Sequence, residues 1–99
     1  MLKDLQVKGL NRCLAPEGYD GSKLAFHLTE APSGGRSHAA HVHAGLEMFY
    51  IIEGLARIQS GGDFYDLGPN ESAVLDGASL HGIENRGDSV LRYLVVIVR

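Results

Sequence analysis

The 99-residue chain has little of what marks several specialised classes of protein. It has no tryptophan and a single cysteine, Cys13, so it can form no internal disulfide and cannot supply the thiolates of a zinc knuckle. The longest apolar run, Leu94–Val98, is far shorter than the ~20 residues that a membrane-spanning helix needs. The first residues, Met1–Asp4, contain no apolar signal-peptide core. We therefore expect a cytoplasmic protein that does not bind membranes.

Positive charge is also scarce. The chain has 9 Lys and Arg residues against 12 Asp and Glu residues, which gives a net charge of −3, and it shows no basic cluster. No nucleic-acid partner is therefore expected, because nucleic-acid-binding proteins carry a concentrated positive charge. The length and the ordinary shares of hydrophobic residues (44%) and charged residues (21%) indicate one globular domain over residues 1–99.

Glycine, in contrast, is abundant, with 13 residues against 3 prolines. Between the glycine-containing turns, apolar and polar residues alternate with the period of two that is typical of half-buried strands. This spacing predicts about eight or nine short strands in an all-β sandwich or small barrel. The clearest candidate strands are Leu24–Thr29, Glu47–Glu53, Leu55–Gln59, Phe64–Leu67, Ser72–Leu75, Leu80–Asn85 and Val90–Val98. The segments Leu2–Val7 and Leu10–Leu14 fit either edge strands or a short helix.

Histidine and glutamate form the most informative pattern in the chain. One residue separates His41 from His43, and on a strand two such side chains point to the same side. Glu47 shares their parity if the strand continues without a bulge, and His81 lies on a separate predicted strand. Three imidazoles and one carboxylate suit a divalent Fe, Mn, Ni, Cu or Zn ion. They contain too much nitrogen for a dedicated calcium or magnesium site.

The spacing of these residues resembles the first conserved motif of the cupin family, which reads G-x5-H-x-H-x3-E-x6-G. The chain matches every position of that motif, at Gly35, His41, His43, Glu47 and Gly54. A chance match to all five positions has a probability of roughly 3 in 10,000 at this composition, so the motif is a specific signal.

The second cupin motif, G-x5-P-x-G-x2-H-x3-N, is matched in part. His81 and Asn85 stand at its histidine and asparagine. Where the motif has glycine, proline and glycine, this chain has Asn70, Asp76 and Ala78. Asparagine can adopt the left-handed conformation of the first glycine. Gly77 lies one residue from the second glycine, so we expect that turn to re-form with a shifted register.

The resemblance covers roughly residues 35–85 and implies the double-stranded β-helix, or jelly-roll, barrel of the cupins. It implies that the metal ligands are His41, His43, Glu47 and His81. It also implies a homodimer formed through β-sheet packing. A small barrel leaves sheet edges and the largely apolar terminal strand Leu91–Val98 in need of cover, which supports such an assembly.

Strand parity predicts which residues line the cavity beside the metal. Phe49 and Ile51 share the face of Glu47 and are expected to line it. The side chains expected to face outward are Met48, Tyr50 and Ile52. Arg92 and Tyr93 alternate, so only one of them can face inward, and an inward Arg92 would indicate an anionic substrate.

The predicted cavity wall is mostly apolar. With Phe49, Ile51, Val95 and Ile97 on its surface, it would favour an apolar or aromatic ligand. His27 is expected to be a wall or interface residue rather than a metal ligand.

Two kinds of function remain open. The first is a metal-dependent enzyme that acts on a small polar substrate, such as a sugar acid or a keto acid, by isomerase, lyase or dioxygenase chemistry. The candidates for a group that moves a proton in that reaction are His38, Tyr93 and Glu53. The second is a non-catalytic module that binds a small ligand, such as a sugar or an effector, with a structural metal. Open coordination positions would favour the enzyme.

Overall fold

The computed structural model describes residues 1–36 and 39–99, and these residues form nine β-strands. This part of the chain forms no helix, so the all-β prediction is confirmed. Accordingly, the described residues include no helix of the length and apolarity needed to cross a membrane. The strands are β1 (Leu2–Asp4), β2 (Leu14–Pro16), β3 (Leu24–Ala31), β4 (Leu46–Glu53), β5 (Ala56–Ser60), β6 (Asp63–Leu67), β7 (Ser72–Asp76), β8 (His81–Asn85) and β9 (Leu91–Val98).

Two antiparallel sheets contribute the side chains of the core. One has four strands in the order β3-β9-β4-β7, and the other has three in the order β6-β5-β8. Because β9 lies between β3 and β4, residues far apart in the sequence share one wall. The N-terminal segments form a separate pair of strands, β1 with β2. Neither candidate segment is a helix, but strand covers only Leu2–Asp4 of the first, and only Leu14 of the segment Leu10–Leu14 lies in a strand.

Alternation along β9 decides which side chains enter the core. Leu91, Tyr93 and Val95 are buried, while the residues between them face the outer side of the sheet. Arg92 is one of these outward residues, and its guanidinium lies 3.1 Å from the carboxylate of Glu30. The inward residue of the Arg92–Tyr93 pair is therefore the tyrosine.

The core is a single cluster of apolar side chains from both sheets. Phe49 and Tyr93 meet edge to face in it, with ring centroids 5.8 Å apart and an interplanar angle of 82°. Such a pair contributes about 1 kcal/mol beyond the burial of its surface. The buried members of the cluster are Ala31, Phe49, Ile51, Ala56, Ile58, Leu75, Ile83, Leu91, Tyr93 and Val95.

A β-bulge interrupts the alternation at the end of β4. The pairing of β4 with β9 shifts register between Ile51 and Glu53. Simple parity would turn Glu53 inward with Glu47, but its side chain is 56% exposed and its carboxylate lies 3.7 Å from Arg92. The bulge therefore places this candidate proton-transfer group outside the cavity.

Two asparagines of the second motif have distinct structural roles. Asn70 adopts a φ of 63°, which confirms that it takes the left-handed conformation expected at the motif's first glycine. Asn85 is buried, and its amide donates hydrogen bonds to the carbonyls of Ala31 (3.1 Å) and Ser89 (2.6 Å). Its carbonyl accepts a bond from the Gly87 N–H at 2.8 Å. The motif asparagine therefore fastens the end of β8 to the turn that leads into β9.

The four-stranded sheet presents an apolar surface on the side away from the core. We call this surface the outer face. It is formed by the outward residues of β3, β4, β7 and β9, and their register places them in adjoining rows. The most exposed apolar members are Leu24, Leu46, Val74 and Val98. Met48 and Tyr50 lie among them half-buried, as parity predicts, and Ile52 is also turned away from the core and exposed.

Candidate metal centre

Four side chains from three parts of the chain converge at one end of the barrel. His41 and His43 come from the segment before β4, Glu47 comes from β4, and His81 is the first residue of β8. One ligand atom from each of them lies within 4.8 Å of the ligand atoms of the other three. We refer to these four residues as the His3Glu cluster. The residues predicted from the spacing are thus brought together.

The sequence suggested that the two histidines of the H-x-H pair lie on a strand, but they do not. β4 begins only at Leu46, and Gly45 before it has a φ of +90°. A side chain at Gly45 would place its Cβ only 2.1 Å from the carbonyl oxygen of Val98. The condition that the strand continue unbroken from His41 to Glu47 is therefore not met, because the chain passes too close to β9 in a conformation that favours glycine.

Backbone pairing with distant residues replaces the strand. His41 and His81 form an isolated antiparallel bridge, in which each backbone N–H donates to the other's carbonyl at 2.9 and 3.0 Å. The N–H of His43 donates to the carbonyl of Gly77 at 2.8 Å, and the N–H of Gly77 donates to the carbonyl of Gly45 at 2.8 Å. The positions of both H-x-H residues are therefore fixed by the loop and strand that carry the second motif.

Gly77 is the glycine that the second motif needs, one position early. A Cβ at Gly77 would lie 2.7 Å from two ring atoms of His43 and 2.8 Å from the carbonyl oxygen of Gly45. The His43 imidazole therefore packs directly against the Gly77 backbone, which leaves no room for a side chain. This contact explains how the site tolerates Ala78 at the position where the motif has glycine.

A backbone carbonyl sets the proton position on each imidazole. The Nδ1 atoms of His41, His43 and His81 lie 3.2, 2.8 and 2.8 Å from the carbonyl oxygens of Ala39, Ala44 and Ser79, respectively. A carbonyl can only accept a hydrogen bond, so each Nδ1 carries a proton and donates it. In the neutral ring this leaves a lone pair on Nε2, which is the form in which histidine binds a metal.

The three Nε2 atoms point toward the carboxylate of Glu47. Its Oε1 lies 2.6 Å from Nε2 of His43, 3.0 Å from that of His81 and 3.7 Å from that of His41. The Nε2 atoms of His43 and His81 are themselves 3.1 Å apart. Lone pairs and an anionic oxygen at these separations repel each other unless a cation lies among them. The donor set of this protein therefore fits a divalent transition metal, with a proton as the alternative occupant.

The cluster is not uniformly buried. Glu47 is 2% exposed, and His81 is fully buried. The side chain of His41 is 43% exposed. The ligand atoms are thus shielded on the β4 and β8 side, while the His41 side remains open.

Protonation of His43 competes with metal binding. The hydrogen bond to the Ala44 carbonyl and the nearby Glu47 carboxylate raise the pKa of His43 above its ordinary value, while partial burial acts in the opposite direction. The protonated ring is thus favoured to a higher pH than in a free peptide.

A cavity of about 440 Å³ opens beside the cluster. Its described lining residues are His27, Ala39, His41, Glu47, Phe49, Gly82, Ile83, Tyr93, Val95 and Ile97.

The cavity wall contains most, but not all, of the residues predicted for it. Phe49, Tyr93 and His27 line it. Ile51 points inward as parity predicts, but it is fully buried in the core and is not among the described lining residues. The candidate His38 lies outside the described residues.

The contribution of β8 to the cavity was missed in the sequence. Ile83 lies two residues after His81 on the same strand, so its side chain faces the same side. The parity rule that placed Phe49 beside Glu47 would have found Ile83, had it been applied from His81.

Comparison with known proteins agrees with this geometry. The Cupin domain family model (Cupin_2) matches residues 27–97, which is more than half of the chain. Among curated proteins, none matches the chain.

Several solved structures share the fold. The protein TT1209 from Thermus thermophilus superposes with a TM-score of 0.72 at 25% identity, covering 81% of this chain and 76% of that one. A Klebsiella pneumoniae protein with a double-stranded β-helix domain gives a TM-score of 0.70 at 24% identity, covering 77% of this chain and 67% of that one. The predicted double-stranded β-helix is therefore confirmed.

A third structure carries an activity in its name. It is the "Putative sugar phosphate isomerase" from Acidithiobacillus ferrooxidans, with a TM-score of 0.67 at 26% identity. The match covers 78% of this chain but only 51% of the other, so this chain spans about half the length of that protein.

The packing of Gly77 against His43 predicts a strong effect of a single methyl group. We expect Gly77→Ala to displace the His43 ring and to weaken metal binding about 10- to 100-fold, as is usual when the groups that orient a ligand are disturbed. The matched control is Gly62→Ala, because nothing lies within 4 Å of a Cβ at Gly62. Isothermal titration with Zn²⁺ measures both affinities, and equal affinities would contradict the assigned contact.

The raised pKa of His43 predicts opposite pH trends for stability and metal affinity. In the metal-free protein, the interactions of protonated His43 stabilise the fold below the unfolded-state pKa of about 6.5. That contribution is lost as the pH rises through the raised folded-state pKa. Metal affinity should rise over the same interval, because the metal needs the neutral ring.

Urea unfolding of chelator-treated protein and Zn²⁺ titration, both from about pH 6 to pH 8, measure these two trends. His43→Gln should flatten the stability trend. A wild-type apoprotein whose stability changes with pH in the same way as that of His43→Gln would contradict this account.

Proposed function

The chain belongs to the cupin family, and from that premise we propose that it is a metal-dependent enzyme whose His3Glu cluster binds one divalent transition metal. The candidate metals are Fe, Mn, Ni, Cu and Zn, because three imidazole nitrogens and one carboxylate oxygen suit these borderline ions. The proposal is supported by the convergence of His41, His43, Glu47 and His81 with their Nε2 and Oε1 atoms facing each other.

The observation that favours an enzyme is the opening of the cluster into the cavity. His41 and Glu47 are both cluster members and cavity-lining residues, so a molecule in the cavity can approach the metal position. A purely structural metal is typically enclosed by its protein ligands, whereas a catalytic one keeps a position for water or substrate. The half-open His41 side fits the second description better. This favours the enzyme over a non-catalytic binding module with a structural metal.

The chemistry divides between the metal and this chain's own side chains. A bound metal of this class supplies Lewis-acid polarisation of a substrate oxygen, or redox chemistry where it is iron or copper. Glu47 and the three imidazoles hold it, and their backbone hydrogen bonds keep the Nε2 atoms directed inward. The Tyr93 side chain lies in the cavity wall and is the described candidate for holding or moving a proton.

The proposed substrates are small sugar acids or keto acids, and the proposed reaction classes are isomerase, lyase and dioxygenase. The likeness to a protein named as a sugar phosphate isomerase supports carbonyl chemistry, although this chain spans only about half of that protein. The metal found in the protein would choose the first assay: oxygen uptake for iron or copper, and isomerase and lyase screens for manganese, nickel or zinc.

Metal analysis of tag-free protein tests the proposed site. We expect about one equivalent of a transition metal in the wild type, and its loss in His41→Ala and in His81→Ala, because each substitution removes one Nε2 donor. His27→Ala is the matched control, since His27 lines the cavity but is not in the cluster. Wild-type protein that contains no metal and takes up none on reconstitution would overturn the proposal.

We also propose that the protein is a homodimer that buries the outer face. The exposed apolar side chains of this face support an assembly, because a monomer would leave them in water. Light scattering after gel filtration should give about twice the chain mass of 10.7 kDa. Val74→Lys should weaken the dimer, whereas Phe64→Lys should not, because Phe64 is similarly exposed (58% against 64%) but lies on the other sheet. A wild-type monomer would contradict this proposal.

A further inference from the structure

The wall next to the His3Glu cluster is largely hydrocarbon. In the register of the four-stranded sheet, Glu47 lies opposite Ile97, and the next inward row contains Phe49 opposite Val95. These three apolar side chains line the cavity, as does Ile83 from the facing sheet. A molecule that reaches the cluster therefore has one polar end at the ligand atoms and most of its remaining surface against apolar side chains, with His27 and Tyr93 as the described polar side chains outside the cluster.

The charge of the site limits the charge of its ligand. A divalent ion held by one carboxylate and three neutral imidazoles has a net charge of +1. None of the described lining residues is lysine or arginine. Arg36 reaches toward the lining residue Gly82, but its guanidinium is paired with Glu84 at 3.1 Å. Arg92 on the adjoining strand faces outward, 3.1 Å from Glu30 and 3.7 Å from Glu53. A monoanion would neutralise the site, whereas a phosphate dianion would leave an uncompensated negative charge in an apolar cavity.

Hydroxyl groups would also be poorly accommodated. A sugar acid or a sugar phosphate carries several hydroxyls along its chain. Outside the cluster, His27 and Tyr93 are the polar side chains among the described lining residues, so the other hydroxyls would lie against Phe49, Val95 and Ile97. Buried polar groups without partners disfavour binding strongly. The wall is thus better matched to a ligand whose polar atoms are concentrated at one end. The cavity volume of about 440 Å³ lies at the low end of the range for small-molecule sites.

We propose that the ligand is a 2-oxo acid with an apolar side chain, an inference that rests on the proposed function. Its keto and carboxylate oxygens are adjacent, so both can face the metal position, and its single negative charge matches the net charge of the loaded cluster. Its aliphatic or aromatic body lies against Phe49, Val95 and Ile97. Of the two proposed substrate classes, this choice favours the keto acids over the sugar acids. It also disfavours sugar phosphates.

Binding to zinc-loaded protein tests this inference without an activity assay. The probes for isothermal titration are phenylglyoxylate, which cannot enolise, pyruvate, gluconate and fructose 6-phosphate. We expect phenylglyoxylate to bind at least about tenfold more tightly than pyruvate, because its ring would be removed from water. Gluconate and fructose 6-phosphate should bind no more tightly than pyruvate. Equal affinities for phenylglyoxylate and pyruvate, or tighter binding of either sugar derivative, would overturn the inference.

A pair of isosteric variants tests the assigned wall. Val95→Thr introduces a hydroxyl into the cavity wall without changing its shape, and should reduce the preference for phenylglyoxylate over pyruvate about tenfold. Val96→Thr makes the same change on the outer face of the same strand and should leave the preference unchanged. If both variants keep the wild-type preference for phenylglyoxylate over pyruvate, the result would contradict the assignment of Val95 to the cavity wall.

Metal analysis of each sample separates this inference from the proposed function on which it rests. Protein that can be loaded neither with zinc nor with any of the other candidate metals would overturn both proposals. Loaded protein that binds the sugar derivatives in preference to the 2-oxo acids would overturn the substrate class alone.

Discussion

The hydrogen bonds from three imidazole Nδ1 atoms to backbone carbonyls are the constraint on which the site depends. Each carbonyl accepts a proton from one ring, and each ring is thereby left with its Nε2 lone pair directed toward Glu47. If one ring were rotated, its Nδ1–H would lose the carbonyl and its lone pair would leave the cluster. The backbone therefore prepares the donor set before any metal arrives, and the repulsion among the assembled lone pairs and the carboxylate favours the cation that relieves it.

The same strand alternation that builds the core also places apolar side chains in the cavity wall. Phe49 and Val95 belong to the buried cluster of the barrel and also form part of the cavity wall. The side chains that stabilise the fold are thus the ones that exclude water beside the metal position. In such surroundings the charge of Glu47 and of a bound ion is only weakly screened, so charge balance selects among ligands more strongly than it would at the surface.

The sequence allowed the fold class, the four cluster residues and most strands to be predicted, because strand parity and motif spacing are local properties. The isolated pairing of His41 with His81 was not predictable, since a two-residue bridge leaves no periodic pattern. The bulge before Glu53 was also missed, because a single extra residue does not change the composition of a strand. Gly77 was noticed one position from the motif, but only the structure shows that its backbone meets the His43 ring.

The tautomeric state of the three cluster histidines tests the central claim most directly. Long-range proton–nitrogen NMR correlation on ¹⁵N-labelled, zinc-loaded protein distinguishes a protonated nitrogen from a metal-bound one in each imidazole. The account predicts that His41, His43 and His81 all carry the proton on Nδ1 and coordinate zinc through Nε2. A proton on Nε2 of any of the three, or coordination through its Nδ1, would contradict the claim that the backbone carbonyls preset the site.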